Sequence, residues 1–207
     1  MLTKAEIKRN NKFILFMESE YYNRVLTGWF KAYKRVGGRP ELITKKYLLE
    51  EAGLFYHQRF NHYFSTLEDL YRKTRMKFRL KMKNVMSRYL HQNARGTVFW
   101  RYYLEEVYVC RRECRMAVKR HDILFFIAGL EELWLYLEQS VFDADAGSVV
   151  YSRCFYALMG IILGIIKEWD QRDYARGDLE SYAKEIARLS YSLNHINTSF
   201  SAALGKL

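Results

Sequence analysis

The sequence predicts an all-α fold, and three observations predict it. Apolar residues recur at helical spacing over most of the chain. Breakers are scarce, with one proline (Pro40) and 11 glycines in 207 residues. No stretch alternates as a strand would, and no internal repeat is found. Half of the residues are hydrophobic, enough for one good core or for a small module packed on a larger domain.

The elements follow in order. Residues 1–18 read as a basic arm, with Lys4, Lys8, Arg9 and Lys12 ahead of the apolar cluster at 13–17. A first helix is expected over 19–36, where Val25, Leu26, Trp29, Phe30 and Tyr33 fall at helical spacing and Gly37-Gly38 stops it. Thr44 is a good N-cap for a short helix over 45–52, and Gly53 suits the left-handed backbone that ends it. A third short helix is expected over 56–63. Thr66-Leu67-Glu68-Asp69 reads as a capping box that opens a fourth, long helix. That helix carries Arg72, Lys73, Arg75, Lys77, Arg79, Lys81 and Lys83. Beyond about Asn93 the texture turns aromatic, with helices expected near 97–119, 122–141, 148–170 and 178–203.

Charge is unevenly placed along this series. Residues 1–95 hold 21 Lys/Arg against 8 Asp/Glu, whereas residues 96–207 hold 13 against 15. A basic half beside a nearly neutral half implies one surface built for a polyanion, either nucleic acid or an anionic membrane. The polar start, Met1 to Arg9, lacks the apolar stretch and cleavage site of a targeting signal. The longest apolar run, Tyr156 to Ile166, is too short to cross a bilayer, so a cytoplasmic protein is expected, with no membrane partner. Cys110 and Cys114 lie one helical turn apart, but no further Cys or His cluster completes a zinc site, and buried helical thiols are expected instead. No cofactor is implied. Neither a nucleophile elbow, a phosphate loop nor a helical metal-ligand pair is present, so no catalytic residue is expected and the chain is not read as an enzyme.

Three short helices with a glycine turn between the second and third form the scaffold of a helix-turn-helix. Here the sequence resembles the tetracycline-repressor family of transcriptional regulators. Val25-Leu26, Trp29-Phe30, Ala32-Tyr33 and Gly37 match its first helix, Thr44 to Gly53 its second, and Phe60, Phe64 and Thr66-Leu-Glu-Asp-Leu70 its third helix and the start of its fourth. Asn61 stands where the family usually has a tyrosine, and Leu67 where it usually has a lysine. The apolar, glycine-containing stretch from Phe155 to Trp169, followed by Gly177 to Ala183, is similar to the family's last two helices.

The resemblance implies an N-terminal three-helix helix-turn-helix domain followed by a helical ligand-binding and dimerisation domain. The divisions expected are the arm (1–18), the DNA-binding domain (19–71), a basic connecting helix (72–95) and an effector-binding and dimerisation domain (96–207). The partners implied are double-stranded DNA carrying a near-palindromic operator, a second copy of the chain, and a mainly apolar small-molecule effector that releases a repressor. Candidate DNA-binding residues are Thr44, Tyr56, His57, Gln58, Arg59, Asn61, His62, Tyr63, Thr66, Arg72 and Lys73. Gln, Asn and Arg can pair with base edges, while Arg72 and Lys73 suit phosphates. Core packing is the default reading of the aromatics Trp100, Tyr103, Phe126 and Trp134, and an effector pocket is the alternative. The candidate dimer interface comprises Leu158, Gly160, Ile162, Gly164 and Ile165, with Leu189 and Leu193 on the last helix. The residues support it independently, because helix 148–170 is apolar around much of its circumference. The competing reading is a basic membrane-surface or protein-interaction module built on the arm and the cluster at 13–17.

Overall fold

The computed structural model describes residues 12, 13, 15–54, 57–90, 96–129 and 149–204, and among them the side chains of all but 57, 85–90, 149–155 and 194–204. The described residues are helical, with no strand among them. In chain order the helices are α1 (Glu20–Arg35), α2 (Lys45–Glu51), α3 (His57–Tyr63), α4 (Leu67–Leu90), α5 (Thr97–Val109), α6 (Arg111–Lys119), α7 (Val149–Gln171) and α8 (Leu179–Leu204). Residues 15–17 and 123–129 are also helical. The chain divides into two compact units, Met1–Leu80 with Arg112–Phe125, and Lys81–Arg111 with Phe126–Leu207.

The helix termini follow the local chemistry of the sequence. Ser19 caps α1 by accepting from the Tyr22 N–H at 3.3 Å, and Thr44 caps α2 by accepting from the Tyr47 N–H at 3.2 Å. Both helices end in a left-handed glycine. Gly37 (φ 65°) and Gly53 (φ 62°) let the next N–H turn back, Gly38 to the Tyr33 carbonyl and Leu54 to the Leu49 carbonyl, each at 2.9 Å. The expected helix over 97–119 is two helices, because the turn at Cys110 ends α5 before α6 begins.

The first unit is built around Tyr22, Val25, Leu26, Trp29, Leu48, Phe60, Phe64 and Leu70. Part of the apolar cluster at 13–17 belongs to this core. Met17 is fully buried, and Phe13 and Phe16 pack against the same core. A segment from far along the chain completes this unit. Met116 joins the core, the Phe125 ring stacks on Phe78 with centroids 4.5 Å apart, and Arg112 donates to Thr27 Oγ1 at 2.6 Å. Lys77, one of the basic run on the fourth helix, is 7% exposed; its ammonium donates to Glu113 and lies over the Tyr22 ring. A buried ammonium needs such a partner, since an uncompensated charge away from water is costly.

In the second unit α8 packs against both α5 and α7. Trp169, fully buried near the end of α7, donates its indole N–H to the Ala175 carbonyl at 2.8 Å and lies against Tyr174 and Tyr182. Among the described residues, no helix is long and apolar enough to cross a membrane.

Candidate nucleic-acid interface

The two short helices are held together from α1. Gly28 lies where α1 meets α2, and a Cβ there would stand 2.5 Å from Ala52 Cβ and 2.7 Å from both Ala52 N and the Leu48 carbonyl oxygen. Only glycine permits this approach. Arg24 then reaches over the turn, donating to the Gly53 carbonyl at 2.9 Å, and Arg35 bridges to Glu50 at 2.9 Å.

On α3, Phe60 is fully buried, while Gln58, Arg59, Asn61 and His62 are exposed. The inner side is thus fixed by aromatic packing and the outer side carries hydrogen-bonding groups. Arg59 lies over the ring of Tyr21 at 4.7 Å. The Lys45 ammonium donates to Asn61 Oδ1 and stands 5.2 Å from the Phe60 ring centre, tying the start of α2 to α3. Tyr63 is stacked on Phe16 at 3.9 Å, so its ring is engaged by the segment preceding α1. Burial raises the Tyr21 hydroxyl above its ordinary pKa, against the pull of Arg59.

Asp69 organises the start of α4. Its N–H donates to Thr66 Oγ1 at 3.1 Å, as a capping box requires, but its carboxylate reaches one residue further back, to the Ser65 N–H at 3.0 Å. The same carboxylate holds Arg72 at 2.6 Å and Lys73 at 3.2 Å. Burial pushes this carboxyl up, but the Ser65 N–H, Arg72 and Lys73 outweigh it and bring it down to about 2. Lys73 also donates to the Tyr63 carbonyl, which links α4 to the end of α3. Lys45, Arg59, Arg72 and Lys73 therefore gather around α3, with Asp69 as the carboxylate bridging two of them.

The structure brings together most of the candidate DNA-binding residues: Thr44 as a cap, Gln58, Arg59, Asn61 and His62 on one exposed side, and Tyr63, Thr66, Arg72 and Lys73 beside them. Tyr56 and the His57 side chain lie outside the described residues. Lys45 and Lys46 were not among the candidates, although two lysines directly after the Thr44 cap were the signal that could have found them.

The candidates in the second unit divide differently. Trp100, Tyr103 and Phe126 are buried, the first two with ring centroids 5.8 Å apart on α5, while Trp134 lies outside the described residues. Of the candidate dimer residues, Leu158, Ile162 and Ile165 are 2%, 0% and 6% exposed within the single chain, so their side chains already pack against their own unit. Gly160 and Gly164 are exposed, and a Cβ on either would meet nothing within 4 Å. Leu189 and Leu193 are half-buried. Cys110 and Cys114 are buried, and no group of three or more His, Cys, Asp or Glu among the described residues could hold a metal ion.

The chain matches no model of a known protein family, no curated protein and no solved structure.

Proposed function

We propose that the chain is a sequence-specific DNA-binding transcriptional regulator, a repressor of the tetracycline-repressor type that acts as a homodimer. One observation supports this best: a short helix, packed from beneath by Phe60 and held in place by α1 and α2, exposes Gln58, Arg59, Asn61 and His62 among Lys45, Arg72 and Lys73. A helix held at a fixed angle fits the major groove, where Gln and Arg can read base edges while neighbouring cations meet phosphates. The packing of Phe13, Phe16 and Met17 favours this reading over a membrane-surface module, because it engages three of the apolar groups such a module would insert and leaves Leu15 exposed beside them.

In this reading the second copy lies on the Gly160/Gly164 side of α7, where the missing side chains leave room for two backbones to approach. An apolar effector bound near Trp100, Tyr103 and Phe126 would shift DNA affinity by a coupling free energy of about 1–3 kcal/mol.

The test is selection of bound duplexes from a random pool, followed by binding titrations across salt. A near-palindromic consensus is expected, with affinity falling steeply as salt rises. Gln58→Ala should relax the preference at one position by about 1–3 kcal/mol, whereas Arg72→Ala with Lys73→Ala should weaken all sequences alike. A pool with no enriched sequence, or a flat salt response, would refute the proposal.

A further inference from the structure

Helix α2 begins with the charge that its own stability disfavours. Lys45 and Lys46 open its first turn and no acid stands there, although a helix N-terminus favours anions over cations. Lys46 is compensated by Glu50, one turn on, at 4.0 Å. Lys45 has no carboxylate within ion-pair distance among the described residues. Its ammonium instead donates to Asn61 Oδ1 on α3 and stands 5.2 Å from the centre of the fully buried Phe60 ring. Helix stability does not account for a lysine here, and the ring beneath it helps to fix where its head group lies.

That contact decides what Asn61 can offer. A side-chain amide carries an acceptor oxygen and a donor NH2, so an unengaged asparagine pairs with adenine, which presents an acceptor and a donor in the major groove. With its oxygen taken by Lys45, Asn61 is left with the NH2 as its pairing group. The ammonium beside it has donors and no acceptor. Asn61 is exposed, with Gln58 and His62 one turn away or adjacent on α3. The pair therefore presents donors alone. Guanine matches it, because N7 and O6 both accept. Adenine and cytosine each set an amino donor against the pair, and thymine offers one acceptor beside a methyl group.

We propose that Lys45 and Asn61 together read a guanine in each half-site, and that Lys45 determines this specificity by withholding the oxygen that adenine needs. The inference rests on the DNA-binding function proposed above. The test repeats selection from a random duplex pool with the full chain and with its Lys45→Met and Asn61→Ala variants, each checked for an unchanged melting temperature. The wild-type consensus should hold a guanine whose preference over the other bases falls about tenfold in Asn61→Ala. Lys45→Met frees Asn61 Oδ1, keeps an apolar stem beside Phe60 and should turn that same position to adenine. Lys45→Ala replaces Lys45→Met if that variant fails to fold. A wild-type pool with no enriched sequence refutes the DNA reading, and this inference with it. An enriched consensus that both variants retain, or a Lys45→Met loss that is equal on all sequences, overturns the guanine assignment and leaves the DNA reading standing.

Discussion

Replacing Asp69 by asparagine removes one charge and leaves the shape of the side chain nearly intact. In the native chain the Asp69 side chain is 13% exposed and its carboxylate serves the Ser65 N–H, Arg72 and Lys73 together. Its pKa is lowered from 3.8 to about 2, so the carboxylate form is favoured by folding. A depressed pKa contributes stability that is present above the unfolded value, near pH 4, and is lost as pH falls from there through about 2. At 1.36 kcal/mol per pH unit the shift corresponds to about 2 kcal/mol once partial solvent screening is allowed for. The side-chain amide of Asp69→Asn would still accept from the Ser65 N–H, but the variant would lose both ion pairs and the favourable placement of an anion in the first turn of α4. Urea unfolding of the two proteins at a series of pH values should therefore show the variant less stable by about 1–2 kcal/mol at pH 7. That gap should narrow below pH 4 and close near pH 2. A gap that stays constant from pH 7 to pH 3 would show that charge is not what Asp69 contributes, and would refute the reasoning.

Three further outcomes are expected. Gly28→Ala forces a Cβ to within 2.5 Å of Ala52, and the backbone beneath cannot yield, so the variant should lose about 1–3 kcal/mol in urea unfolding despite its better helix propensity; equal or greater stability would contradict the close approach of α1 and α2. A Cβ added at Gly160 or Gly164 meets nothing within 4 Å outside its own turn of helix, so Gly160→Leu and Gly164→Leu should keep the helical circular-dichroism spectrum. Light scattering should show dimers giving way to monomers in both variants, and an intact dimer would move the interface elsewhere. His121 sits at φ 53° and is exposed, so His121→Gly should gain about 0.5 kcal/mol by relieving a left-handed backbone; a loss in thermal unfolding would mean that the imidazole itself stabilises the turn.

The local part of this fold was legible in the sequence. Thr44, Gly37, Gly53 and Thr66 mark helix ends through short-range hydrogen bonds and backbone conformation, and the helices begin and end beside them. The exposed side of α3 was legible for the same reason, since Phe60 and Phe64 follow the helical period that turns them inward. What depends on distant residues was not. Nothing near Lys77 announces Glu113, so one half of a buried ion pair looked like one more member of the basic run. Helix α7 is apolar on several sides, and periodicity alone could not tell the side that meets its own unit, at Leu158, Ile162 and Ile165, from the side left open at Gly160 and Gly164. Gly28 was passed over because a mid-helix glycine shows its purpose only when the backbone that crosses it is in view.

Residues 112–125 close the first unit from well beyond its N-terminal stretch, and this bears on how the protein is made. A chain emerging from the ribosome offers α1 to α4 long before Met116, Phe125 and Glu113 exist to pack on them. Until Glu113 arrives, 36 residues after Lys77, that ammonium is better hydrated than buried, which opposes settling this turn of α4 against Tyr22. The helices that present α3 are therefore assembled early but locked late, and the growing chain passes through a stage in which apolar surface near Phe78 stays uncovered. A fragment cut at residue 95 would remain at that stage permanently, whereas one that runs through residue 125 carries every segment of the unit.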